Sequence, residues 1–167
     1  MKSSHLKRKS EARLYEPVKK ALYDAFKPMG KCYLEVTSRS VFSEKLKSSF
    51  TDFDLFVTLF ERYAPDIMGF IEESEYSKPL IVVEVKPSSI RIKDIFQVKE
   101  YAEVFNARYA LLISPQPLPE EIKRIVKTKM GILCFFPERR VFIGEFSGSS
   151  GQMNEFGWYP EKLSKQH

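Results

Sequence analysis

The chain has 167 residues, of which 43% are hydrophobic and 29% charged, and its formal net charge is +5. This length and composition predict one globular domain and exclude a disordered or fibrous chain. No run of about 18 to 20 apolar residues could span a bilayer, and the first residues lack the apolar core of a signal peptide. We therefore expect a soluble, cytoplasmic protein with no membrane partner.

The inventory of reactive residues excludes several chemistries. The two histidines, His5 and His167, lie at the ends of the chain, which leaves none for a Ser-His or Cys-His pair or a His-rich zinc site. Cys32 and Cys134 are far apart and show no CxxC spacing, so we expect two buried, reduced thiols. The glycines form no phosphate-binding motif. Any catalysis must use carboxylates and lysines.

The positive charge is concentrated near the start of the chain. The first 31 residues hold nine Lys and Arg against three Asp and Glu, whereas the remainder is nearly balanced. Residues 1–9 are expected to form a basic arm, and clustered cations bind phosphates by releasing counterions. We expect Lys7, Arg8, Lys9 and Arg13 to contact nucleic acid; a merely solvated tail is the alternative.

The first half of the chain predicts a helix, a strand and an insertion. Ser10 is a candidate N-cap for an amphipathic helix over residues 11–27, which Pro28 and Gly30 end. Residues 31–38 alternate loosely and predict a strand. The aromatic residues of the segment 41–63 suit either a helix or an extra hairpin, and we favour a helical insertion.

The second half alternates between β-rich runs and helical stripes. Predicted strands cover residues 65–73, 79–86, 109–113, 131–136 and 140–146, and predicted helices begin at Ile92 and Leu118. This order predicts an α/β domain over residues 10–146, with a mixed central sheet flanked by helices, a peripheral last helix and a C-terminal hairpin. Residues 147–167 are expected to be a polar extension that Trp158 pins to the domain.

Two acids and a lysine are predicted to meet on adjacent strands. A hairpin loop centred on Glu75 places Asp66 opposite Glu84, with Cβ atoms about 5 Å apart, and Lys86 on the same face as Glu84. Charges in the apolar run from Leu80 to Val85 are costly unless they are paired or bind a ligand. Oxygen ligands at this spacing suit Mg²⁺, whereas an ordinary ion pair on an edge strand is the structural alternative.

Pro65-Asp66 is followed, after seventeen residues, by Glu84-Val85-Lys86. This pattern resembles the motif of the PD-(D/E)XK nuclease superfamily, and the resemblance covers residues 10–114. The resemblance implies a restriction-endonuclease-like αβββαβ core. It implies a nuclease that hydrolyses phosphodiester bonds, most often in DNA and leaving a 5′-phosphate, with Mg²⁺ or Mn²⁺ as cofactor. Asp66 and Glu84 would be metal ligands with the carbonyl of Val85, and Lys86 would orient water or offset charge.

The helices on either side of this motif are expected to supply further residues. The resemblance implies a role for Gln97, and Tyr101 lies one helical turn later on the same face. The first helix is also expected to supply a carboxylate ligand for the metal ion. On a helical wheel Glu11 lies with the apolar stripe and Glu16 opposite it, so we expect Glu11.

Two other classes of function remain open on the sequence alone. The first is a non-catalytic nucleic-acid-binding or regulatory module with the same fold. The second is a protein-interaction domain that exposes the aromatic residues 50–63, although these residues are better explained as core. The sequence does not decide between duplex, branched, single-stranded or RNA substrates, or whether a homodimer forms.

Overall fold

The computed structural model of the chain describes residues 2–52, 55, 64–74, 77–135, 138–146 and 157–159, without the side chains of residues 2–11 and of residue 130. Among these residues no helix combines the length and the apolar character needed to cross a membrane.

Seven strands form one mixed sheet in the described part of the chain. They are Lys31–Val36 (β1), Ile67–Glu72 (β2), Leu80–Val85 (β3), Tyr109–Ser114 (β4), Cys134–Phe135 (β5), Arg139–Glu145 (β6) and Gly157–Tyr159 (β7). Their order is β1-β2-β3-β4-β6-β5, and β7 pairs with β6. β2 pairs antiparallel with both β1 and β3, whereas β4 pairs parallel with both β3 and β6. The carboxyl ends of β1, β3, β4 and β6 therefore lie at one end of the sheet.

Four α-helices accompany this sheet among the described residues. They are Lys2–Phe26 (α1), Glu44–Lys47 (α2), Ile92–Val104 (α3) and Glu120–Thr128 (α4). The start of α3 is fixed by Asp94, whose Oδ2 accepts the backbone N–H of Arg91 at 2.8 Å. The prediction of an α/β domain with helices packed on a mixed sheet is confirmed.

Each face of the sheet has its own hydrophobic core, because side chains alternate between the faces along every strand. One core lies beneath α1 and includes Val18, Leu22 and Val83. The other lies beneath α3 and α4 and includes Val82 and Ile95. The central strands β3 and β4 are buried along their whole length, which explains their nearly continuous apolar sequences.

The predicted ends of the first helix are only partly right. α1 begins at Lys2 rather than after Ser10, so the basic residues expected in an arm belong to the same helix as the amphipathic segment. Ser10 is inside the helix and does not cap it. Arg13 is exposed, and the side chains of Lys7, Arg8 and Lys9 lie outside the described residues.

The predicted C-terminal hairpin is present, and its second strand is integrated into the main sheet. Although β5 and β6 pair as an antiparallel hairpin, β6 also joins the main sheet beside β4, and Val141 and Ile143 are fully buried. The reason is that β4 is buried along its whole length, so its backbone N–H and C=O groups need a pairing strand on each side. Of the expected extension the structure describes Gly157–Tyr159, which pairs with β6, and the ring of Trp158 lies 6.5 Å from that of Phe142.

Two further expectations have mixed outcomes. In the segment 41–63 the described part holds the short helix α2, and residues 52 and 55 are also helical. Residues 53–54 and 56–63 of the expected insertion lie outside the described residues. Of the two thiols expected to be buried, Cys32 is half-buried, whereas Cys134 is exposed on the short outer strand β5. Neither forms a disulfide.

Candidate functional site

The site is built around a carboxylate inside an apolar strand. Glu84 lies in β3 and is only 4% exposed. Alternation places Glu84 on the same face as Leu80 and Val82, which belong to the core under α3, so its carboxylate faces that helix. A buried carboxylate is costly without partners, and those partners come from the end of the same strand and from α3.

Lys86 and Gln97 close a hydrogen-bonded triangle with Glu84. The Lys86 ammonium donates to Glu84 Oε1 at 2.5 Å and to Gln97 Oε1 at 3.1 Å. Gln97 Nε2 donates to the same Glu84 oxygen at 2.8 Å and lies 3.4 Å from the hydroxyl of Tyr101, one turn further along α3. Lys86 is 15% exposed and Gln97 is half-buried, so the cluster reaches solvent at its edge.

Asp66 stands at the start of the neighbouring strand. The observed register pairs Ile67 with Val83, as the hairpin register predicts, and its continuation by one residue sets Asp66 opposite Glu84. Asp66 Oδ2 accepts the backbone N–H of Val85 at 2.8 Å. Where the pairing of β2 with β3 ends, the Asp66 carboxylate thus accepts an N–H that a backbone carbonyl of the paired strand would otherwise accept.

Electrostatics link the two carboxylates through the lysine. Burial raises the pKa of Asp66 above its usual value, because desolvation outweighs the hydrogen bonds from Val85 and Tyr15 and the attraction of Lys86. Burial alone would lower the pKa of Lys86, but the attraction of Glu84, with smaller effects of Asp66 among others, raises it overall. Lys86 therefore stays positively charged at neutral pH.

The two helices differ in what they bring to the site. α3 supplies Gln97 as expected, and desolvation raises the pKa of Tyr101 beside it. On α1, Glu16 is exposed and pairs with Lys19 at 2.8 Å, while the side chain of Glu11 lies outside the described residues. The choice of Glu11 as the helical carboxylate stays a prediction.

Two residues that position Asp66 were missed in the sequence. The Tyr15 hydroxyl donates to Asp66 Oδ1 at 2.8 Å, and Thr37 donates its backbone N–H to the carbonyl of Asp66 at 2.8 Å. Tyr15 follows Glu11 by one helical turn on the same face, so the helical wheel contained a signal for it. The sequence contained no such signal for Thr37, because its hydrogen bond to Asp66 depends on the pairing of β1 with β2.

Carboxylate oxygens such as those of this site are the kind of ligand that a hard divalent cation prefers. Such a cation, for example Mg²⁺, usually binds one or two protein carboxylates and keeps several water ligands. Asp66 and Glu84 supply two carboxylates, and each oxygen of Asp66 accepts one of the hydrogen bonds described and has a second lone pair. Among the described side chains, no group of three or more His, Cys, Asp or Glu is arranged to hold a metal ion. A third carboxylate would have to come from outside these residues, as expected for Glu11.

Comparison of the chain with protein-family models, with curated proteins and with solved structures finds no match. The functional assignment therefore rests on the residues and geometry of the chain itself.

Proposed function

We propose that the protein is a metal-dependent nuclease that hydrolyses phosphodiester bonds, with DNA as the favoured substrate. The observation that carries the proposal is the meeting of Glu84, Lys86 and Gln97 at the end of β3, beside Asp66 on the adjacent strand. The order of elements supports it, because α1-β1-β2-β3-α3-β4 follows the αβββαβ order of the PD-(D/E)XK nucleases, apart from the short helix α2.

Mg²⁺, or Mn²⁺ in its place, is the cofactor that these donors suit. Asp66 and Glu84 would hold it together with the Val85 carbonyl and, as the sequence predicts, Glu11. When bound, such an ion activates water and offsets the charge of the phosphate. Glu84 is paired with Lys86, and the hydrogen bonds from Tyr15 and Val85 orient Asp66.

The other polar groups act on the phosphate and the attacking water. Lys86 provides a fixed positive charge at the sheet end, where it would stabilise negative charge that develops on a phosphate oxygen. Gln97 bonds to both members of the ion pair and so sets the position of the ammonium. The basic residues Lys7, Arg8, Lys9 and Arg13 would add sequence-independent contacts to the backbone of the nucleic acid.

The test is a cleavage assay on plasmid and on end-labelled linear and structured DNAs, with Mg²⁺, with Mn²⁺ and with EDTA. We expect cleavage only with a metal, and a loss of about a hundredfold or more in Asp66→Asn, Glu84→Gln and Lys86→Ala. Circular dichroism checks that each variant is folded. Wild-type rates in folded Asp66→Asn and Lys86→Ala would overturn the proposal.

An exposed ion pair of the same residue types is the matched control. Lys123 and Glu120 lie 2.8 Å apart on the surface of α4. Lys123→Ala and Glu120→Gln remove the same functional groups as the site variants, so they should cleave as the wild type does. A loss in these controls equal to that in the site variants would point to a general charge effect.

A non-catalytic nucleic-acid-binding module is the second candidate. One observation favours it: the ammonium of Lys86 is already engaged by Glu84 and Gln97, as in a structural ion pair. This reading predicts DNA binding that persists in EDTA, no cleavage with either metal, and a linear fall of log affinity with log salt. The same assay separates the two candidates.

A further inference from the structure

A cavity of about 520 Å³ lies where β1 ends, and one of its lining residues, Tyr15, bonds to Asp66. It is bounded by α1 on one side and by the segment 38–43 on the other. β1 and β3 run in the same direction, so the cavity and the cluster of Glu84 and Lys86 are at the same end of the sheet. Its volume is within the range of about 300 to 1,000 Å³ that is common for small-molecule sites.

The cavity and the carboxylate of Asp66 share structural elements. Tyr15 lines the cavity and also donates its hydroxyl to Asp66 Oδ1. Thr37 is fully buried and holds the segment 65–66 twice, through its backbone N–H to the Asp66 carbonyl and its hydroxyl to the Pro65 carbonyl at 2.6 Å. Tyr15, together with Thr37 between the lining residues Val36 and Ser38, therefore connects the wall of the cavity to the segment that carries Asp66.

The rim of the cavity is formed by a constrained turn. The backbone N–H of Ser40 donates to the carbonyl of Thr37 at 2.7 Å, and Ser40 has φ of 55°, which a residue with a side chain seldom adopts. This turn presents Arg39, which is exposed at the rim. Val41 follows and is 69% exposed, an unusual degree for a large apolar side chain.

The lining combines an aromatic ring with acidic acceptors. Phe42 is half-buried and its ring is braced edge-on by Phe50, with centroids 5.6 Å apart. Glu35 is held by Ser43, whose N–H and hydroxyl donate to its two oxygens at 2.8 and 2.5 Å. A fixed carboxylate repels a phosphate but accepts hydrogen bonds from amino groups such as those on nucleobase edges.

We propose that this cavity binds the base of an unpaired nucleotide next to the phosphate at Asp66, with Phe42 as the stacking surface and Arg39 contacting the backbone. The inference rests on the proposed function and narrows its substrate to single-stranded or locally unpaired nucleic acid. A base in an intact duplex is stacked and paired, and it cannot enter a cavity without first being extruded.

The test measures binding of the full chain to a fluorescein-labelled 12-nucleotide single strand and to the same sequence in a blunt duplex, by anisotropy in EDTA. We expect tighter binding to the single strand. Phe42→Ala should weaken single-strand binding by about 5- to 150-fold, the effect of losing one stacked base, and leave duplex binding unchanged. Arg39→Ala should weaken single-strand binding more than Arg124→Ala, which removes an exposed arginine of α4.

Val41→Glu keeps the test decisive if Phe42→Ala does not fold. Val41 is exposed, so this change should preserve the fold while it places a negative charge at the rim and weakens single-strand binding. Equal affinity of the wild type for both DNAs, or wild-type affinity in folded Phe42→Ala and Val41→Glu, would overturn the inference. The nuclease proposal fails separately, if no DNA is cleaved with either metal.

Discussion

Removal of the Lys86 ammonium should destabilise the protein, whatever the protein does. Lys86 and Glu84 are 2.5 Å apart, with side-chain exposures of 15% and 5%. At an effective dielectric constant of about 20, their gross attraction is about 7 kcal/mol, most of which desolvation offsets. Lys86→Met keeps the length of the side chain and leaves the buried Glu84 carboxylate without this cation.

The magnitude follows from the partners that remain. Breaking a buried pair by removing one member costs about 3 to 5 kcal/mol. Because Gln97 Nε2 still donates to Glu84 Oε1 at 2.8 Å, we expect the lower part of this range, about 3 kcal/mol in the free energy of unfolding. For a chain of 167 residues this corresponds to a fall in Tm of about 6 to 12 °C.

Chemical denaturation followed by circular dichroism at pH 7 measures this change. Lys123→Met, in the exposed pair with Glu120, is the control and should leave the midpoint unchanged. The double variant Glu84→Gln, Lys86→Met has no uncompensated charge and should return to within about 1 kcal/mol of the wild type. Equal midpoints for Lys86→Met and Lys123→Met would refute the reasoning.

Two further predictions concern β1 and its neighbour β2. Desolvation raises the pKa of Cys32 to about 11, so at pH 8 only about a thousandth of its thiol is ionised. The rate at which iodoacetamide alkylates Cys32, measured by mass spectrometry, should therefore rise about tenfold per pH unit from pH 8 to 10. At each pH, Cys32 should react more slowly than the exposed Cys134. A pH-independent rate at Cys32 would contradict this. Gly69→Ala should lower the free energy of unfolding by more than about 3 kcal/mol, because its Cβ would lie 1.8 Å from the Tyr33 carbonyl oxygen. Thermal or chemical unfolding measures this change. A midpoint near that of the wild type would show that β1 and β2 can move apart to accept the methyl group.

The sequence was sufficient for the parts of the site that depend on local spacing. The loop between the two strands fixed their register, and hence the placement of Asp66 opposite Glu84. The period of two put Lys86 beside Glu84, whereas Gln97, which bonds to both, was expected only from the resemblance to the nuclease superfamily. The two inferences from spacing need only two strands and the short loop between them.

Features that depend on distant segments were missed. The carboxylate of Asp66 is held by Tyr15, 51 residues earlier in the chain, and its backbone is held by Thr37. The incorporation of β6 into the main sheet depends on its parallel pairing with β4, which no local pattern encodes. Parallel neighbours are joined by long connections, so their partners cannot be derived from a turn.

The position of the ion pair argues for a role other than stability. β3 is buried along its whole length, and a buried ion pair generally adds no more stability than apolar residues of similar volume. If the double variant Glu84→Gln, Lys86→Met is as stable as the wild type, the pair is not required for folding. Loss of cleavage in that same stable variant would then assign the two charges to the reaction, because a variant of undiminished stability cannot lose activity through unfolding.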